Sequence, residues 1–140
     1  MTPTVGSLDN LTVLSYHSTM EDMPEQRAAV AAAKAEMFKA LGHPIRVRAL
    51  EVLVAGERPV GELAEELGVE MSHLSQQLAV LRRAQIVTAR RVRSTVFYSV
   101  RDPRIAALFA TAREMLVDGL REQHALLMDL EDDPTLQTAQ

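Results

Sequence analysis

With 140 residues, 47% of them hydrophobic, and a net charge of −4, the chain can build one modest core, and any surface for a polyanion must be a local basic patch. Cysteine is absent, which excludes disulfides, thiolate metal sites and thiol redox switches. No apolar run approaches the roughly 18 residues of a membrane span, and residues 1–24 carry no basic start followed by an apolar block, so a cytoplasmic protein with no membrane partner is expected.

Residues 1–24 mix Thr, Ser, Gly and Asp with a short apolar stretch from Leu11 to Leu14 and hold no sustained period, as in a flexible N-terminal arm. From Glu25 to Leu41, Val30, Ala33, Met37, Phe38 and Leu41 recur at helical spacing, and Gly42, His43 and Pro44 stop that helix. Pro44 opens a second helix, striped by Val47, Leu50, Leu53 and Val54, which runs to Ala55 and ends at Gly56. Pro59 starts a third, with Val60, Leu63, Ala64 and Leu67 inward, Glu62, Glu65 and Glu66 outward, and Gly68 as its breaker. A fourth begins near Ser72, read as its N-cap, and buries Leu74, Leu78 and Leu81 at i, i+4 and i+7.

After Ala84 the period changes to two. Val87, Ala89 and Arg91 alternate with Thr88, Arg90 and Val92, and Val96, Tyr98 and Val100 with Phe97 and Ser99, which predicts a hairpin turning at Arg93 and Ser94. Pro103 opens a long helix to about Leu130, with Ile105, Leu108, Phe109, Ala112, Met115, Leu116, Leu120 and Leu127 as its apolar face and Gly119 as a weak point. Residues 131–140 are acidic and polar, as in a disordered tail. The expected fold is mainly α with a small β-hairpin, in the order α-α-α-α-β-β-α, with residues 25–130 as one domain.

Ala64, Gly68 and Leu74 have the sizes a helix-turn-helix needs: a small residue for close passage, a glycine at the sharp turn, and a plug into the core. Any αα-hairpin can carry such a triplet, but here a basic β-hairpin follows it. The outward face of the fourth helix holds Ser72, Ser75, Gln76, Ala79 and Arg83, with His73 at its flank and Arg82 beside its end. Short polar residues let a helix sit deep in a DNA major groove, and Ser, Gln and Arg pair with base edges or phosphates. Arg91, Val92, Arg93, Ser94 and Thr95 form a hairpin tip of the right reach for a phosphate backbone or a minor groove. Between Arg82 and Arg104 the basic residues are Arg82, Arg83, Arg90, Arg91, Arg93, Arg101 and Arg104, against the single acid Asp102. The expected DNA-contacting set is Ser72, His73, Ser75, Gln76, Arg82, Arg83, Arg91, Arg93, Ser94 and Thr95, with double-stranded DNA as the partner.

Residues 36–101 resemble the ArsR/SmtB family of winged helix-turn-helix repressors. The resemblance rests on Leu41, Gly42, His43, Pro44, Ile45 and Arg46 through Leu53, on Ser72, Ser75, Gln76, Leu78, Leu81 and Arg82, and on Phe97 with Tyr98; Gln77 departs from the His that many members have there. It implies a homodimer built from the first and last helices, whose two recognition helices meet successive grooves of a near-palindromic operator.

The resemblance also implies where metal-sensing members bind their ions, and this chain lacks those ligands. The thiolate site at the start of the third helix is replaced by Pro59, Val60, Gly61, Glu62 and Leu63. The site on paired last helices would fall on Asp102, Arg104, Met115 and Asp118, where an Arg cannot bind a cation. No metal and no cofactor are therefore expected, and the effector is unknown. His17, His43, His73 and His124 share no ligand spacing.

No phosphate loop, nucleophile with its base, or apolar carboxylate pair points to an enzyme. Two alternatives stay open. One is a nickel- or zinc-responsive repressor using ligands outside the family pattern, such as His124 with Asp118 or Glu122. The other is a winged-helix interaction module that has lost DNA binding. A DNA-binding activator would share the same fold and patch.

Overall fold

The computed structural model describes residues 23–135. The arm expected over 1–24 and the tail over 131–140 therefore lie mostly outside the described residues. The chain divides after Gly42 into two compact units. Of the first, the described part is helix α1, Met23–Leu41. It begins earlier than Glu25, because Pro24 is tolerated in a first turn, where its missing N–H has no partner to lose.

The second unit runs α2 (Pro44–Leu53), β1 (Arg58–Pro59), α3 (Val60–Leu67), α4 (Met71–Arg83), β2 (Val87–Val92), β3 (Thr95–Val100) and α5 (Arg104–Glu131). The helices and hairpin follow the expected order, and one short strand is added. His43 caps α2: its Nδ1 accepts from the Ile45 amide at 3.1 Å, and Pro44 takes the first helical position. Pro59 does not start α3 but precedes it in an extended conformation, pairing with Phe97 while Arg58 pairs with Tyr98. A two-residue strand containing proline has no period to detect, and the pairing depends on β3, almost 40 residues away.

Glycine is favoured at position 68, where the backbone is left-handed. Its φ of 67° lets α3 end in paired bonds, Gly68 N–H to Glu65 O and Val69 N–H to Ala64 O, both 3.1 Å, which turn the chain into α4. Helix α4 starts at Met71, with Glu70 as its N-cap and no side-chain capping bond, so Ser72 is not the cap but lies inside the first turn. Leu74, Leu78 and Leu81 are fully buried and join Leu50, Leu63 and Val87 as the centre of the core. Replacing one of these leucines with alanine costs about 2–5 kcal/mol.

The sheet is antiparallel in the order β1-β3-β2, with the hairpin turning at Arg93 and Ser94. Val87 and Tyr98 point into the core, and Thr88, Arg90, Phe97 and Ser99 lie on the opposite face. Only the first turns of α5 reach the core: Ile105 is buried and Leu108 and Phe109 half-buried, whereas Leu116 and Leu120 are 69% and 66% exposed.

Candidate nucleic-acid interface

Each expected contact residue on α4 is displayed by the burial of its neighbours. With Leu74, Leu78 and Leu81 inward, the 3.6-residue period turns Ser72, His73, Gln76, Arg82 and Arg83 outward, all exposed, with Ser75 half-buried between them. Met71 is also exposed, at 54%, and was missed in the sequence because it precedes the expected cap. No acidic residue occurs from Met71 to Arg101.

Arg91, Arg93, Ser94 and Thr95 are exposed at the hairpin tip. Arg93 adopts φ 57°, a left-handed conformation that costs an L-residue about 1–2 kcal/mol. The strain tightens the turn to two residues, Arg93 and Ser94, between β2 and β3.

The seven arginines from Arg82 to Arg104 are not equivalent. Arg90 bonds Glu57 at 2.5 Å through Nη2, which holds the Glu57 carboxyl below its ordinary pKa. Arg101 Nη1 donates to Gln85 Oε1 at 2.7 Å, and Arg104 folds back onto Asp102 at 2.6 Å. Arg82, Arg83, Arg91 and Arg93 have no partner among the described residues. The uncompensated charge therefore sits at the end of α4 and on the hairpin tip, the two places proposed from sequence.

Asp102 and Arg104 form a closed pair. The Arg104 amide and Nε reach Oδ1 at 2.9 and 3.0 Å, and Nη2 reaches Oδ2 at 2.6 Å. These side-chain and then backbone bonds lower the Asp102 carboxyl from 3.8 to about 2. The position that resembles a metal ligand thus carries a fixed internal cation. Pro59 and Gly61 offer no ligand atoms at the other family position, and among the described residues no cluster of three His, Asp or Glu side chains is placed to hold a metal. The residues do not fit either metal site.

The family described as bacterial regulatory protein, arsR family, matches residues 43–89, which span α2 to the middle of β2. The HTH-type transcriptional regulator Rv0081 of Mycobacterium tuberculosis is 52% identical over 98 residues, 69% of this chain and 86% of that protein. This chain belongs to the arsR family. Another arsR relative by sequence, the biofilm growth-associated repressor of Xylella fastidiosa, is 40% identical over 66% of this chain and 77% of that protein. The crystal structure of Rv0081 covers 67% of this chain with a TM-score of 0.61. The solution structure of a homodimeric winged helix-turn-helix DNA-binding domain from Mycobacterium bovis has the same TM-score at 29% identity, covering 69% of this chain and 90% of that one. The arsR chain is a transcriptional regulator with a winged helix-turn-helix fold, and not an enzyme. Among its described residues no helix is long and apolar enough to cross a membrane.

Sequence reasoning missed three polar pairings of this region. Gln77 accepts from Arg46 on α2, Glu57 grips Arg90, and Glu66 on α3 pairs with Arg58 at 2.9 Å. Their partners lie 8 to 33 residues away, so no local pattern marks them.

Proposed function

We propose that the chain is a repressor that binds a near-palindromic operator as a homodimer, with α4 in the major groove and the β2–β3 wing on the flanking backbone. The reading is carried by the outward face of α4, where small polar side chains run into two unpartnered arginines with no acid among them. Gln76 and Ser75 suit base edges, Met71 suits a thymine methyl, and Arg82, Arg83, Arg91 and Arg93 suit phosphates. Ser72, His73, Ser94 and Thr95 complete the surface as short polar contacts.

The homodimer is supported by apolar surface that a single chain leaves open. Phe38 on α1 is 55% exposed, and α5, 28 residues and roughly 42 Å long, carries exposed Met115, Leu116, Leu120 and Leu127. Patches of this kind mark association surfaces, and a two-fold axis would bring two α4 helices to one face of DNA. The releasing signal in this reading does not act through the family's metal positions.

Sedimentation at micromolar concentration, followed by binding to duplexes selected from a random library, tests the proposal. A dimer with one preferred, near-palindromic site is expected. A monomer unchanged by DNA, or equal affinity for every duplex, overturns it.

A further inference from the structure

Arg90 belongs to the basic run, yet its geometry separates it from the arginines around it. It stands on the sheet face opposite the core, on edge strand β2, with Phe97 of the central strand as its register partner. Its guanidinium lies over the Phe97 ring, 5.0 Å from the centroid. Beyond that ring it reaches Glu57, just before the other edge strand, with Nη2 on Oε1 at 2.5 Å and Nε near Oε2 at 3.4 Å. One side chain therefore links β2, over the ring of β3, to the residue that precedes β1. The next residue, Arg58, continues the link by pairing with Glu66 on α3.

We propose that Arg90 is a positioning residue for the wing, a strap that Glu57 and Phe97 hold across the sheet, and not a phosphate contact. A two-stranded ribbon is marginal by itself, and a short third strand of two residues anchors its base weakly. The strap adds a cation over an aromatic face and a two-pronged carboxylate contact at that base, so the tip carrying Arg91 and Arg93 keeps a fixed angle to α4. The inference rests on the DNA-binding reading for its effect on affinity, but its effect on the wing is independent of DNA.

The signs of two substitutions separate a strap from a phosphate contact. Removing an acid near a DNA surface ordinarily strengthens binding to a polyanion, whereas cutting a strap weakens it. Arg90→Met, Glu57→Ala and, as the phosphate control, Arg93→Ala are compared in the full chain. Binding is measured to the tightest duplex selected from a random library and to a mixed-sequence duplex of equal length, over a salt series. Amide exchange of residues 91–96 is followed without DNA. Arg90→Met and Glu57→Ala are both expected to weaken the selected duplex about three- to tenfold, to leave the log-affinity against log-salt slope as in the wild type, and to speed wing exchange. If Arg90→Met lowers the slope by about one per subunit while Glu57→Ala strengthens binding, Arg90 is a phosphate contact and the proposal falls. Unchanged exchange in both variants overturns it as well. If the wild type prefers no duplex, the DNA-binding reading fails while the exchange data still decide the strap.

Discussion

Arg46 Nη1, in the first turn of α2, donates to Gln77 Oε1 on α4 at 2.7 Å, joining two helices across 31 residues of sequence. Both side chains are half-buried, so the bond forms where water competes poorly, and a charged donor makes it worth more than a neutral pair. Gln77→Ala should lower the unfolding free energy by about 1–3 kcal/mol. Gln76→Ala, one residue away but exposed and with no partner among the described residues, should change it by less than about 0.5 kcal/mol. Urea denaturation of both variants checks the contrast, and equal effects would remove the assigned role of the Arg46 bond.

Two helix ends share one geometry with different residues. Gln85, at φ 60°, closes α4 through Gln85 N–H to Arg82 O at 3.0 Å and Ile86 N–H to Leu81 O at 2.9 Å, as Gly68 closes α3. Gln85→Gly should therefore stabilise the fold by about 0.5–1 kcal/mol, the relief of strain outweighing the exposed contact with Arg101. Gly68→Ala meets no atom within 4 Å but inherits the strained φ, and should destabilise by about 1 kcal/mol or more. Thermal melts of the two variants should move in opposite directions, and parallel shifts would contradict the backbone argument.

Legibility in the sequence followed the range of the interaction. Periods of 3.6 and 2 are local, so the five helices of the described residues, the hairpin and its turn at Arg93 and Ser94 were readable, as was the buried trio Leu74, Leu78 and Leu81. The Gly68 turn was readable because glycine announces itself, whereas the identical turn at Gln85 was not. Strand β1 and the Arg90–Glu57 and Arg46–Gln77 pairs depend on contacts between distant segments. The apolar stripe of α5 was read correctly as a helix face, but in the single chain only its first turns are covered.

The Asp102–Arg104 pair gives a dependence on pH. A carboxyl lowered from 3.8 to about 2 contributes above its ordinary value and loses that contribution as the pH falls from about 4 to about 2. NMR titration should place the Asp102 midpoint near 2, and Arg104→Ala should return it toward the ordinary aspartate range. The same internal cation predicts that zinc, nickel or cobalt leaves a preformed DNA complex intact. Release at stoichiometric metal, lost again in Asp118→Ala or His124→Ala, would mean that ligands on α5 assemble only in the dimer.

Reading and holding DNA should separate between Gln76 and Arg93. Gln76 is exposed on the face of α4 opposite the core, where an amide can make paired hydrogen bonds to a base edge. Gln76→Ala should cost about 1–3 kcal/mol on the preferred duplex and little on mixed sequence, so that specificity falls. Arg93 stands at the wing tip with no partner among the described residues, and its charge suits a phosphate or a narrow minor groove. Alanine at φ 57° bears the same backbone strain as arginine, so Arg93→Ala changes the charge with little effect on the turn. It should weaken both duplexes alike and reduce the salt slope by about one per subunit. Fluorescence anisotropy across a salt series, on both duplexes, measures the four affinities and the salt slope. If Gln76→Ala weakens the two duplexes equally while Arg93→Ala affects only the preferred one, the roles given to helix and wing are reversed.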